Sequence, residues 1–376
     1  MINVLDAICG AGKSTWAFQH MKDNADKRWV YVSPYLSEVG GTEEKGEGDD
    51  LYYSKGRIQD VLPDMNFKYP TRTPSKRESF LRLIDRGENV GITHSLFSQM
   101  NEEVLEILRN NEYHLMIDET LDFISIYEDL TEEDLSLFLA SGIISVEEET
   151  KRVLFNKAEY SRGVLKDLKE LCDNRCLYLY TSETTLGEKR TLMIQKINPY
   201  VINAFKSTTI LTYRWESSLM WAWMKLNKME YTMIYPDSMR DSEEIRKSLR
   251  HLLDVVEIPW TLKKLQVDSK GMPIRTAFSK GWYERHEDQL PIIKTAIEKA
   301  LQKKMVKRGD PFWTTFIDYK PAISGKGYTK SKTVTVNGIT VEDRNPFIPK
   351  NMRASNEYAN CSNCIYTCNV FMNPFL

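Results

Sequence analysis

At 376 residues, 41% hydrophobic and 28% charged, the chain has material for two or three cored domains and is far from a disordered or fibrous composition. No apolar run approaches the roughly 20 residues that span a bilayer, and the opening MINVLDAIC lacks the basic and long apolar regions of a secretory signal, so a cytoplasmic chain with no membrane partner is expected. A net charge of −2 does not advertise nucleic-acid binding by the whole chain, but residues 261–353 hold 19 Lys and Arg against 9 Asp and Glu, a surplus of +10 that leaves −12 elsewhere.

The first predicted element, INVLDA, is a short apolar run with the length of a buried strand. ICGAGKS follows as a glycine-rich turn, and STWAFQHMKD carries Trp16, Ala17, His20 and Met21 at helical spacing. Strand, glycine loop with lysine, and helix form the context of a phosphate-binding loop. The amides of Gly10, Ala11, Gly12, Lys13, Ser14 and Thr15 are expected to wrap phosphates at a helix N-terminus, Lys13 to reach the β- and γ-phosphates, and Ser14 to ligate Mg²⁺. Ala7 stands where the motif calls for its first glycine.

RWVYVSPYLSEV and NVGITHSLFSQM are two further strand-and-turn units, running into Ser33-Pro34-Tyr35 and Thr93-His94-Ser95. In EYHLMIDET the apolar strand ends at Asp118 and Glu119. Ligands collect at such strand ends in α/β sheets, so Asp118 is expected on Mg²⁺ and Glu119 on the attacking water. Residues 121–172, with YEDLTEEDLSLFLASG and VLKDLKELCDN, have helical period and acidic charge and read as a helical insertion without a catalytic part. CLYLYTSETT is a strand ending in Thr181-Ser182-Glu183-Thr184, giving at least five strands alternating with helices and hence a parallel sheet.

A hinge is expected near Asn198–Ser207, with one domain over 1–200 and a second over 201–376 that begins strand–helix–strand. Within the second, WTTFIDYK reads as a strand, and the run from Ile323 to Phe347 contains loops and a hairpin turning at Asn337-Gly338. Its surplus of positive charge fits either a polyanion-facing surface or a set of solvated charged faces. Cys361, Cys364 and Cys368 have metal-like spacing, but they also fall at i, i+3 and i+7 on one helix face, and no fourth ligand stands nearby, which favours core packing over a metal.

Taken together, these segments resemble superfamily-2 helicases: AICGAGKST the phosphate-loop motif I, VSPYLSEV motif Ia, IDET the acidic motif II, TSETT the Ser/Thr-rich motif III, and ITHSLF the threonine-histidine segment seen after motif Ia. SKGWY, WTTF, NMRASNEY and FMNP look most like helicases encoded by bacteriophages. The resemblance implies two RecA-like domains, each a parallel sheet flanked by helices, with ATP and Mg²⁺ in the cleft between them and a single nucleic-acid strand across their tops, DNA ranking ahead of RNA with both left open. It assigns Ser33, Thr93 and His94 to nucleic acid, and Thr181, Ser182 and Arg353 to coupling hydrolysis with strand movement. Lys13, Asp118 and Glu119 become the catalytic set.

Two departures stand out. No glutamine-bearing adenine motif precedes the loop, and no arginine follows Arg353, where a motif VI is expected. The implied activity is an ATP-dependent translocase or helicase of phage replication or recombination in the host cytoplasm, with a partner protein able to supply an arginine finger. Other readings are a nucleotide-gated nucleic-acid-binding or scaffold ATPase and a terminase-like packaging ATPase. A thymidine-kinase-like enzyme also pairs such a loop with an acidic motif, but this chain is about twice the expected size.

Overall fold

The structure is a computed structural model that describes residues 1–376 apart from 46–50, 74, 161–162, 184–188, 257–258, 308, 331–332, 337–338, 343–344, 350–357 and 371–376. The chain divides into two compact units, Met1–Leu252 and Leu253–Leu376. Among the described residues no helix is long and apolar enough to cross a membrane.

The first unit is built on a six-stranded sheet. Its strands are β1 (Ile2–Asp6), β2 (Trp29–Ser33), β3 (Val90–Thr93), β4 (His114–Asp118), β5 (Ser207–Thr212) and β6 (Thr232–Met233), in the order β6-β1-β5-β4-β2-β3. Every pairing in it is parallel. The sequences explain this. β2 is buried at all five positions, and β4 and β5 are short runs rich in Ile, Leu, Met and Thr, as strands covered on both faces must be.

Side-chain alternation splits the core in two. Val4, Val30, Val32, Leu115, Ile117 and Ile210 face one layer, which includes Phe80, Leu105 and Trp223. Leu5, Tyr31, Met116 and Leu211 face the other, which includes Ala17, Phe18 and Met21 of α1 (Lys13–Lys22). Met116 and Asp118 share a strand face, so the same parity that seats Met116 under α1 aims Asp118 toward the start of that helix.

The observed organisation corrects three expectations. First, the chain does not pass to a second domain at residue 200. Ser207–Thr212 returns to the first sheet as its central strand, paired with β1 and β4, and the first unit runs on to Leu252. Burial decides this: Thr208 through Thr212 are all buried, which a strand at the edge of a separate domain could not achieve. Second, Leu177–Glu183, carrying Thr181 and Ser182, is not in the parallel sheet. It pairs antiparallel with Lys189–Lys196, which pairs in turn with Ile124–Ile126. Third, the insertion is not purely helical. Helices Glu132–Ala140 and Lys166–Asp173 accompany a hairpin of Ile144–Val146 and Val153–Phe155, and this layer has its own core of Leu135, Ile144, Val153, Leu168, Cys172, Leu177 and Met193.

The second unit is organised around the 14-residue helix Leu290–Lys303. Its core includes Trp282, Tyr283, Ile293, Ile297, Trp313, Ile323 and Tyr328. Phe312–Thr314 pairs in parallel with Cys364–Tyr366, and Thr333–Val336 pairs antiparallel with Ile339–Glu342; the Asn337-Gly338 turn lies outside the described residues. The described strands of this unit therefore form two-stranded pairs, not the broad parallel sheet expected of a second RecA-like domain. The cysteine expectation also changes: Cys364 begins a strand, with Cys364 exposed and Cys368 buried, so the three thiols share no helix face.

Candidate functional site

The chain leaves β1 at Asp6, turns through Ala7–Gly12 and enters α1 at Lys13. Gly10 and Gly12 have φ of 81° and 103°, and a Cβ at either would meet nothing within 4 Å. These glycines are required by backbone conformation, not by space. Ala7 and Ala11 are buried in the core beside α1, so a methyl group at the motif's first position is packing, not a defect.

No side chain caps α1. Its first amides lie at the positive end of the helix, available to an anion. Lys13 Nζ donates to the Ala7 and Ile8 carbonyls at 2.7 and 3.2 Å, bridging the start of its own loop. Ser14 Oγ lies 3.4 Å from Asp118 Oδ2, although 104 residues separate them. Thr15 is exposed on the first turn.

Asp118 is buried and takes a second hydrogen bond, from the Tyr31 hydroxyl at 2.9 Å. Burial is the largest influence on its carboxyl and raises it above the usual carboxylate value; the Glu119 charge adds to this, while the Tyr31 and Ser14 hydrogen bonds and the Lys13 charge pull it back. The Tyr31 hydroxyl is in turn held protonated well above its usual range, by burial and by Asp118. Glu119 adopts a left-handed φ of 70°, and its amide is tied to the Leu211 carbonyl of β5 at 3.0 Å. A non-glycine residue in that region is held there by its surroundings, a condition that concentrates at functional sites.

Sequence reasoning missed several neighbours of this centre. Glu38, in the short helix Leu36–Val39 after β2, feels the Asp118 charge; burial raises its carboxyl, with Arg57 opposing from 3.6 Å. Asp6 accepts the Arg214 and Trp215 amides at 2.7 and 2.9 Å, which pins the chain after β5 to the residue just before the loop. Arg214 is also left-handed, with φ 61°.

A second segment touches the loop itself. The Arg240 amide donates to the Ala11 carbonyl at 3.4 Å, and the Ile8 amide donates to Ser242 Oγ at 3.0 Å. Ser242 opens the helix Ser242–Arg250, whose Arg246 donates to the Tyr213 hydroxyl at 3.0 Å. The Arg240 backbone thus borders the loop within the first unit. None of the motif signals used above marks this segment, because only tertiary packing brings it to the loop.

The remaining predicted residues fare differently. Ser33 and Thr93 are register partners at the ends of β2 and β3. Ser33 is 1% exposed and its hydroxyl finds no hydrogen-bond partner among the described residues, so it presents no surface to a strand in this state. Thr93 accepts the Leu96 amide at 3.4 Å and caps the short helix that His94 opens. Thr181 and Ser182 stand in the antiparallel layer, and the strand between the loop strand and the Asp118 strand is Ser207–Thr212, which runs on into Tyr213 and Arg214. Arg353 lies outside the described residues.

No cluster of three or more His, Cys, Asp or Glu residues suited to a metal occurs among the described residues. The Ser14 and Asp118 oxygens are nonetheless the hard donor set that Mg²⁺ takes, since that ion keeps most of its waters when it binds beside phosphates.

Comparison with known proteins places residues 248–376 in a match to the YonV C-terminal Rossmann-like domain, close to the limits of the second unit. The whole chain is similar to the SPbeta prophage-derived uncharacterized protein YonV of Bacillus subtilis (strain 168), with 25% identity across 99% of this chain and 85% of that protein. The matched family is described by a Rossmann-like domain and not as a helicase. No solved structure matches the chain.

Proposed function

We propose that the chain is a Mg²⁺-dependent ATPase that acts on nucleic acid, in the manner of a superfamily-2 translocase or helicase. One observation carries this. A glycine loop with a helix N-terminus and Lys13 sits at the end of β1, and Ser14 at the start of that helix meets Asp118 from two strands away across the carboxyl edge of a parallel sheet. Ligands of open α/β sheets bind at that edge. The helicase-like motifs and the basic stretch 261–353 supply the nucleic-acid part of the reading.

In this mechanism the left-handed glycines aim loop amides at the phosphates, and Lys13 leaves the Ala7 and Ile8 carbonyls for phosphate oxygens. Ser14 and Asp118 would hold Mg²⁺, which would supply neutralisation of the phosphate oxygens. Glu119, fixed by its bond to Leu211, orients the attacking water and takes up its proton. Thr212, at the end of the strand between loop and acidic residue, is positioned to register the change, which moves the coupling role from Thr181 and Ser182 to the Thr212–Arg214 turn.

The test is nucleotide binding and hydrolysis by wild type, Lys13→Ala and Glu119→Gln, without nucleic acid and with single-stranded DNA, duplex DNA and RNA in turn. Lys13→Ala loses nucleotide binding. Glu119→Gln binds Mg²⁺–ATP as wild type does and turns it over about 10²-fold or more slowly. Hydrolysis by Lys13→Ala at the wild-type rate would remove the proposal.

A further inference from the structure

The second unit contains a concave site of about 520 Å³ between the helix Leu290–Lys303 and the turn that follows Ile323. Lys294, Lys326 and Lys330 surround it, with Glu298, Gly325 and Thr329 in its wall. None of the three lysines forms an ion pair among the described residues. Elsewhere in the same unit Lys280 does pair, with Asp318 at 3.5 Å.

The turn is built, not loose. Tyr328 is fully buried, edge-on to Trp313 with ring centroids 5.2 Å apart, and its hydroxyl donates to the Ile323 carbonyl. Thr329 Oγ1 donates to the Gly325 carbonyl at 2.6 Å. Glu298 Oε1 accepts the Lys326 amide at 2.7 Å, so the acidic group in the wall serves the turn's backbone. A Cβ at Gly325 would stand 2.7 Å from that same oxygen and 2.8 Å from the Tyr328 hydroxyl, so glycine is what lets the turn close on the helix. An anchored backbone therefore gathers three lysines around one cavity with one engaged carboxylate.

We propose that this cavity is a phosphate site, and that its ligand is the phosphodiester backbone of a single-stranded nucleic acid. Lysine is a point-charge phosphate binder without base preference, and the surplus of +10 over residues 261–353 extends the attraction beyond the cavity, as a polyanion requires and a mononucleotide does not. The proposal rests on the nucleic-acid part of the reading above, and because no residue of the Ala7–Ser14 loop takes part, its failure is distinguishable from that of the ATPase part.

The experiment compares full-length wild type with the triple variant Lys294→Ala/Lys326→Ala/Lys330→Ala and its all-arginine counterpart. The probe is a fluorescent oligothymidylate of about 20 nucleotides, a length exceeding one backbone-tracking site, followed by anisotropy across a salt series without nucleotide. The alanine variant should melt as wild type does, bind at least about tenfold more weakly at low salt, and show a log–log salt slope smaller by about two, at roughly 0.7 per lost phosphate contact. The arginine variant should keep both affinity and slope. A parallel series in the Lys13→Ala background measures direct pyrophosphate binding by titration calorimetry. Unchanged oligonucleotide binding with lost pyrophosphate binding overturns the nucleic-acid source in favour of a small polyphosphate. Unchanged behaviour toward both overturns the site.

Discussion

Asp118, proposed above as a Mg²⁺ ligand, sits where burial of its carboxyl costs stability. Its carboxyl is raised above the ordinary 3.8, chiefly by burial, so the folded state holds the proton more tightly than the unfolded chain does. The corresponding stability is fully present below the unfolded value and is lost as pH rises through the folded one. Asp118→Asn removes that loss. The variant should melt a few degrees above wild type at neutral pH, on a scale of about 2–4 °C per kcal/mol, with the difference closing below about pH 4. Thermal melts at the two pH values check this. Arg240 and Arg214 pose a second question at the same scale. Both are exposed, one tied by its amide to the loop and the other to Asp6, the residue before it. If they face the terminal phosphate, Arg240→Ala and Arg214→Ala should each weaken a Mg²⁺–ATP analogue by about tenfold while sparing ADP, the worth of one charge-assisted hydrogen bond. Titration calorimetry with both nucleotides reads that ratio, and an equal effect on ADP would assign these arginines a structural part.

Among the elements, β5 and the strand Leu177–Glu183 make the instructive pair. Each is a short apolar run with Thr near its end, and local propensity rates them alike. Only one enters the parallel sheet. Ile210 is fully buried there between the strands that carry the loop and Asp118, whereas Tyr180 on the other strand is 38% exposed. Ile210→Ala should cost about 2–5 kcal/mol, the range for truncating a buried aliphatic side chain, and should abolish nucleotide binding near the unfolding midpoint. Leu177→Ala, in the separate small core, should lower the stability of that layer and leave nucleotide affinity as it was. Urea titrations followed by nucleotide fluorescence and by far-ultraviolet dichroism separate the two.

For the whole molecule, the division at Leu252 places every residue of the candidate ATPase centre, including Arg240 and Ser242, in the first unit. A chain ending at residue 252 should therefore fold and bind Mg²⁺–ATP within about twofold of full length, since a unit with its own core folds without its neighbour. It should also lose oligonucleotide affinity, because Lys294, Lys326 and Lys330 go with the second unit. Retained oligonucleotide binding by the truncated chain would move the nucleic-acid surface to the first unit.

Much of the local frame around the candidate centre was legible in the sequence. The strand, loop and helix around Lys13, the acidic end of EYHLMIDET, and the strands at Trp29 and Val90 are local patterns, and local physics sets them: glycines for left-handed turns, an apolar run for a buried strand, a lysine and a serine at a helix start. What sequence could not settle is non-local. The choice of Ser207–Thr212 over Leu177–Glu183 as the middle strand, the approach of Tyr31 to Asp118, the Arg240 clasp on Ala11 and the fold of 121–172 into an α+β layer all depend on which distant segments share a face. Propensity is a property of a few neighbouring residues, while pairing and burial are properties of the packed chain, and only tertiary structure decides those.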